Sequence, residues 1–466
     1  MPAAPAKGRT PARLSTGFSA AAIAFIVLLS VGLPPHSSGA GGMTEVAPAS
    51  PESSRQVDDP ADRGDRASQP TATAAEDAGI AVYVGTEMIR PYDPVPMLAV
   101  PESAIERARH PAIDIHCHWW LSRRFPAPEA MLAAMDRFNV AIAVNLSGGW
   151  GESLDAMLAW CSAAPDRLLV FANLDLARID EPEFAVDSVA ALRHAKRRGA
   201  RGLKVFKDLG LTLRDRSGAL VAVDDPRLDP IWAACGELGL PVLIHAGDPA
   251  AFFEPVDARN ERWMQLRRHP DWSFHGPGFP DRATLFAQRS RLFERHRGTT
   301  FIAAHLADHA EDLAAASRLL EAHPNVVMDI AGRVAELGRQ PYSARSFLIR
   351  WQDRVLYGTD RYPGRPDQPR ERIYYRFLET SDEYFRYHDH PFPPEGEWRI
   401  YGVELPDDVL RKIYLENAAR VLGLDPHAVA GLVTRSASGA PPPSAAPDSA
   451  EEAASAGSEE SKGPAR

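Results

Sequence analysis

From about residue 112 onward the chain alternates short runs of β-branched and other apolar residues with longer stretches in which apolar positions recur at helical spacing. The runs read AIDIHCH from Ala112, VAIAVNL from Val140, LLVFANLDL from Leu168, GLKVFKD from Gly202, PVLIHAG from Pro241, TTFIAAHLA from Thr299, NVVMDIA from Asn325 and VLYGTDR from Val355. Strand-like runs separated by helical patterns are the signature of parallel β/α units. There are eight, the number that closes a barrel, so the pattern predicts an α/β fold of the (β/α)8 TIM-barrel type.

The intervening segments carry helix start and stop signals in the right order. DPRLDPIWAACGELG, for instance, has an acidic start with early prolines, an apolar stripe and a glycine at its end. No G-x-G-x-x-G follows the first strand, as an open dinucleotide-binding sheet would require. Two connections, 247–280 after the fifth strand and 362–405 after the eighth, are too long for simple turns. Long loops in compact domains are usually functional, and in a barrel the loops after the strands surround the active site.

Composition then sets the limits of the folded part. Of 466 residues, 45% are hydrophobic and 24% charged, enough to bury a substantial core. The net charge of -10 argues against nucleic acid or an anionic membrane as partner. Three scattered cysteines without C-x-x-C spacing suggest buried thiols, neither a disulfide framework nor a cysteine zinc site.

Residues 1–40 place Lys7, Arg9 and Arg13 before an apolar run at 18–33 and small residues at Ser38 and Ala40, the layout of a secretory signal or an uncleaved membrane anchor. The expected location is therefore outside the cytoplasm, periplasmic or extracellular, or cytoplasmic if translation starts at Met43. Segment 41–78, poor in large apolar residues, reads as a disordered linker, and 427–466, with acidic clusters, as a disordered tail. The barrel is expected to occupy 79–426.

The candidate chemistry lies at the ends of the runs, where barrel active sites form. The first ends in His116 and His118, the fourth carries Lys204 and Lys207, the fifth ends in His245, the sixth in His305, the seventh holds Asp329 and the eighth ends in Asp360. Strand side chains alternate, which predicts that Asp114, His116 and His118 share one face and Ile115 and Cys117 the other. On this reading Ile115 packs outward against helices and the histidines face the interior. Cys117 is assigned to packing, and Asp114 to a supporting role such as orienting an imidazole.

Buried imidazoles need partners. A divalent metal supplies one: His116, His118 and His245 offer three nitrogens and Asp360 an oxygen, with a position left open for water. Zinc is the expected ion, with manganese as the alternative, and one ion is favoured over two. Asp360 is also the candidate general base, and His305 sits opposite as a hydrogen-bond donor or electrophile. Any one histidine among the fifteen would be read as ordinary; joint placement at successive strand ends sets these apart.

Substrate contacts are less sharply drawn. Lys204 could be carbamylated, bind an anionic substrate or sit on the rim, while Arg333 and Arg361 are placed to meet an anion. The first long loop carries Phe252, Phe253, Trp263, Trp272, Phe274 and His275, with Trp119 and Trp120 just beyond the paired histidines. Trp263, Trp272 and His275 are candidates for covering a flat substrate; the alternative is that these aromatics pack the loop onto the barrel.

The ordered motifs DIHCH, GLKVFK, VLIHAGDP, FIAAHLADH, LYGTDR and KIYLENAARVLGL resemble the amidohydrolase-related superfamily of metal-dependent barrels, in the branch of aminocarboxymuconate-semialdehyde decarboxylase-like enzymes. The resemblance spans about 112–424. It implies metal ligation by His116, His118, His245 and Asp360, and a metal- or substrate-contacting role for His305. Family members often have a histidine two residues after the strand-four lysine; here Phe206 stands there, which weakens the case for a second metal.

Two chemistries share such a site. A hydrolase attacks a polarised carbonyl with water, Asp360 handling the proton. A non-oxidative decarboxylase, or carboxy-lyase, holds the carboxylate of an aromatic or unsaturated acid and protonates the carbon that loses carbon dioxide. The expected activity is metal-dependent hydrolysis of a small organic substrate, with the decarboxylase second and a non-catalytic binding barrel third. Beyond a small-molecule substrate, a second copy of the chain is the other partner considered.

Overall fold

Each of the eight runs forms a strand, and the eight lie side by side in sequence order as one parallel sheet. They are β1 (Ala112–Cys117), β2 (Val140–Asn145), β3 (Leu168–Ala172), β4 (Gly202–Val205), β5 (Val242–Ile244), β6 (Phe301–Ala303), β7 (Val326–Asp329) and β8 (Val355–Leu356). The computed structural model describes residues 82–84, 87–89, 96–121, 125–364, 370–388 and 395–438. The expected export segment (1–40), the linker (41–78) and the tail beyond 438 lie outside the described residues. Ahead of the barrel, Val82–Val84 and Glu87–Ile89 form a short antiparallel pair.

Alternation sorts the strand residues into two apolar layers. Leu203, Val205, Val242, Ile244, Phe301 and Met328 belong to the outer layer, packed with helix residues such as Trp232, Leu292 and Phe293. Phe171, Leu243, Ile302, Val327 and Leu356 form the inner layer. Burial of each such side chain is worth roughly 1.5–3 kcal/mol, so both faces of every strand contribute. The helix Asp229–Leu238 has a proline in its first turn and ends on Gly239 at φ 62°, as its start and stop signals predict.

In β1 the strict alternation breaks. Asp114 pairs with Ala143 and Cys117 with Asn145, so three steps along β1 match two along β2. This bulge sets both Ile115 and His116 opposite Val144. Ile115 joins the inner layer, against the expectation that it packs outward. Asp114 therefore does not share the histidine face: it lies on the outer side, where it holds Thr359. The paired histidines still face inward, because the extra residue lets His116 share the inner side with Ile115 and alternation resumes at Cys117.

Closure between β8 and β1 is sparse. Ile115 N–H donates to the Tyr357 carbonyl at 3.2 Å and Asp360 N–H to the His116 carbonyl at 2.8 Å. Asp114 completes the seam: its carboxylate accepts from Thr359 Oγ1 (2.6 Å), Thr359 N (3.1 Å) and His116 N (3.2 Å). The bulge removes ladder partners, and the carboxylate stands in for them.

Both long connections contain structure. The first holds the short helical turns Ala250–Phe253, Trp263–Leu266 and Pro270–Trp272 before the helix Arg282–Arg295. The second contains the ten-residue helix Arg370–Glu379, which buries Tyr374, Tyr375, Phe377 and Leu378. The chain also stays ordered past 426. Helix Pro426–Ser438 buries Val429 and Val433 in the inner-layer cluster, which moves the start of the expected tail. No helix among the described residues is long and apolar enough to cross a membrane.

Candidate metal centre

His116 Nε2 and His118 Nε2 each lie 3.5 Å from Asp360 Oδ1. That is long for a hydrogen bond to an imidazole, which prefers 2.7–3.2 Å. Two ligand atoms held ~2.1 Å from one tetrahedral ion stand about 3.4 Å apart, so the spacing fits coordination. The three residues form a group whose ligand atoms are mutually within 4.8 Å.

The orientation of each ring follows from what its other nitrogen does. His116 Nδ1–H donates to Asp329 Oδ2 at 2.9 Å. His118 Nδ1 meets Ser147 Oγ at 2.8 Å. Both contacts turn Nε2 toward Asp360. Gly358 permits the arrangement: a Cβ there would stand 2.9 Å from the Cβ of His116. Asp360 itself adopts φ 63°, a left-handed conformation that an aspartate tolerates better than most residues.

His305 stands beside this group, its ring centroid 4.7 Å from that of His116 and 4.4 Å from that of His245. Its Nδ1 lies 2.7 Å from the Ala331 carbonyl, which can only accept, so Nδ1 carries the proton and Nε2 a lone pair. Asp329 also receives the main-chain N–H groups of His305 (2.9 Å) and Ala331 (3.0 Å). His116, His305 and Asp329 lie close enough to form a second ligand group. These hydrogen bonds occupy the Asp329 oxygens, so the set reads as a support for His116 and His305.

His305 opens an unusual turn. Residues His305, Leu306, Ala307 and Asp308 all have φ between 55° and 57°. Left-handed conformation costs roughly 1–2 kcal/mol per residue, so something must hold the segment.

His245 is the expected ligand that falls outside both groups. Its buried Nε2 has no hydrogen-bond partner among the described residues and lies 3.8 Å from Asp308 Oδ1 and 3.9 Å from Asp248 Oδ1. Three of the four expected ligands thus stand together, with His245 next to them across His305.

The local charges explain the protonation states. Burial pushes His245 and His305 well below the ordinary imidazole range; Arg333 and Lys204 add to both. Burial alone would raise Asp360, but His116, His118, Arg370 and Arg361 outweigh it and hold the carboxyl low. Burial raises Asp329, and it lifts Asp114 to about 7 against the hydrogen bonds from Thr359 and His116.

Of the substrate candidates, Lys204 is 1% exposed, stands over the Phe206 ring at 5.1 Å and lends its field to both His245 and His305, so it faces the interior. Phe206 in turn faces His118, with centroids 6.0 Å apart. Arg333 is buried, its Nη1 bonded to the Gly332 carbonyl at 2.9 Å. Lys207 pairs with Asp248 at 2.6 Å.

The loop aromatics instead make contacts of loop packing. Trp263 is 37% exposed under Arg267, Trp272 stacks on His269 with centroids 4.1 Å apart, and His275 is exposed with Nδ1 on the Phe253 carbonyl. None of these contacts reaches the histidine group.

Asp329, Ser147 and Thr359 are site residues that the ligand motifs do not name. Asp329 ends a strand as the ligands do, and that position was its available signal; Ser147 and Thr359 become legible only when β2 and β8 are laid beside β1.

With this geometry in view, the sequence model of the amidohydrolase family matches residues 113–424. The chain belongs to the amidohydrolase family. The family is one of metal-dependent enzymes, in keeping with the His/Asp group described above. No curated protein matches this amidohydrolase. Among solved structures, a 2,6-dihydroxybenzoate decarboxylase complexed with 2,6-dihydroxybenzoate is 16% identical, with TM-score 0.43, covering 68% of this chain and 100% of its own. A 5-carboxyvanillate decarboxylase from Novosphingobium aromaticivorans, with bound manganese, is 14% identical, with TM-score 0.38, covering 65% and 82%. A 4-oxalomesaconate hydratase from Rhodopseudomonas palustris is 15% identical, with TM-score 0.39, covering 70% and 99%.

Proposed function

We propose that this amidohydrolase is a hydrolase that uses one divalent ion, zinc with manganese as the alternative, to act on a small organic acid derivative. The observation that carries the reading is the pair of 3.5 Å separations from Asp360 Oδ1 to His116 Nε2 and His118 Nε2. These three residues would hold the ion, and the orphaned Nε2 of His245 is suited to complete the set. When bound, the ion supplies a Lewis acid that polarises a carbonyl and acidifies water.

Asp360, held ionised by its cationic neighbours, accepts the proton of the attacking water and returns it to the leaving group. His305 presents a lone pair at Nε2 and orients the water or the reacting carbonyl's neighbour group. Lys204 and Arg333, both buried, supply positive charge for a substrate carboxylate. Decarboxylation would instead need a group that delivers a proton to carbon. His305, neutral and proton-bearing only on the nitrogen committed to Ala331, is poorly set for that.

The test is to screen metal-loaded protein against lactones, esters and amides, and separately against hydroxybenzoate-like acids, in 18O-labelled water. Hydrolysis incorporates one label into the product acid. Carbon dioxide release with no label incorporated would replace this reading by the decarboxylase. Full metal stoichiometry in both His116→Ala and His118→Ala would overturn the ligand set. Export through the N-terminal segment and self-association are further proposals, read from the N-terminus of the mature protein and from sedimentation.

A further inference from the structure

The left-handed turn that carries His305 is gripped from behind by the helix Arg282–Arg295. Arg289, only 1% exposed, donates from Nη1 to the Ala307 carbonyl at 2.8 Å and to Asp308 Oδ2 at 3.2 Å. Arg282 donates to the Asp308 carbonyl. Asp308 Oδ2 also receives the Gly247 N–H at 3.1 Å, so the turn is tied to the end of β5 as well.

A fully buried guanidinium is costly to keep. This one leaves Nε and Nη2 without a hydrogen-bond partner among the described residues, its flat face covered by the Phe286 ring at 4.3 Å. An apolar side chain would fill the space at lower cost. What it could not do is reach a backbone carbonyl and a carboxylate of the same strained turn from one nitrogen. The left-handed turn satisfies the His305 and Leu306 carbonyls locally, from the N–H groups of Asp308 and His309, which leaves the carbonyls of Ala307 and Asp308 to donors outside it.

We propose that Arg289 is a positioning residue: by holding Ala307 and Asp308 it keeps the turn left-handed, and thereby keeps the His305 imidazole pointing Nε2 into the site. The inference rests on His305 as a working group of that site. It predicts a device in two halves. Asp329 and Ala331 hold His305 from the front, and Arg289 holds its turn from the rear.

The test uses full-length protein labelled with 15N-histidine. The Nδ1–H of His305, bonded to the Ala331 carbonyl, should give a far-downfield proton resonance, assigned by its loss in His305→Gln. In Arg289→Met the resonance is expected to vanish or shift while zinc affinity, read by chelator competition, changes less than about 3-fold; Arg289→Lys should restore it in part. A folded Arg289→Met protein with the resonance unmoved would overturn the proposal. So would zinc affinity falling in step with the resonance, because Arg289 would then support the whole barrel mouth. If Arg289→Met does not fold, Arg289→Gln, which keeps one donor for Ala307 and loses the charge facing Asp308, is read by the same two measurements. Neither depends on a substrate, so failure here is distinguishable from failure of the hydrolase reading.

Discussion

Asp329 and His116 are joined at 2.9 Å by the imidazole Nδ1–H, and the same carboxylate takes the main-chain N–H of His305. One side chain at the end of β7 therefore orients a ring from β1 and the backbone of the turn after β6. Ligand-orienting carboxylates of this kind typically affect metal affinity 10–100-fold. Asp329→Asn should weaken zinc binding by about that factor, measured by chelator competition. An unchanged affinity would mean that His116 is oriented by the barrel alone.

Asp360→Asn keeps an oxygen for the metal but loses the carboxylate that takes a proton. Turnover on any hydrolysed substrate should fall by more than about 100-fold, with a smaller loss of bound zinc by elemental analysis. Equal losses would make Asp360 a ligand only.

Gly358→Ala places a methyl 2.9 Å from the His116 Cβ and 3.3 Å from that of Ala331. Neither Cβ can swing away. Zinc affinity should fall at least tenfold while the far-ultraviolet circular dichroism of the barrel persists, and a native-like affinity would show that the β8–β1 seam yields.

The pH dependence of the metal-free protein has two opposed parts. His245 and His305 are held neutral below the ordinary imidazole range, so the unfolded chain takes up protons that the folded chain refuses as pH falls below about 6.5. Their share of stability is lost on the acid side. Asp114 runs the other way: with a folded value of about 7, it favours the folded state below the unfolded value near 4, and that share is lost as pH rises through 7. Melting curves of chelator-treated protein from pH 4 to 8 should show a maximum between these losses. Because its window spans about 4 to 7, Asp114→Asn should flatten the decline toward pH 7 and steepen the acid-side loss; an unchanged profile would refute the assignment.

Deleting 427–466 removes Val429 and Val433 from the inner-layer cluster. Roughly 1.5–3 kcal/mol per valine is at stake, enough to lower the melting temperature measurably. Deletion after Ser438 should leave it unchanged.

Much of the architecture was legible because its signals are local. A buried parallel strand declares itself by a short apolar run, and the helix after β4 by its proline, its stripe and Gly239. Strand-end position was likewise enough to collect His116, His118, His305 and Asp360. The helix within the connection at 362–405 was not legible because it carries Tyr374, Tyr375 and Phe377 among many charged residues, so its amphipathic face is hard to see without the surface it covers. The C-terminal helix hid for the same reason: two buried valines matter only once the inner layer is there to receive them.

The amino-acid sequence alone determined the fold class and the inventory of metal-binding groups, since periodicity and residue type are properties of the chain. Which groups meet was decided by tertiary structure. A bulge of one residue in β1 sends Asp114 to the seam with Thr359 and not to the histidines, and a left-handed turn sets His305 between His116 and His245. Both depend on contacts between strands far apart in the chain, where a shift of one residue changes which face a side chain occupies.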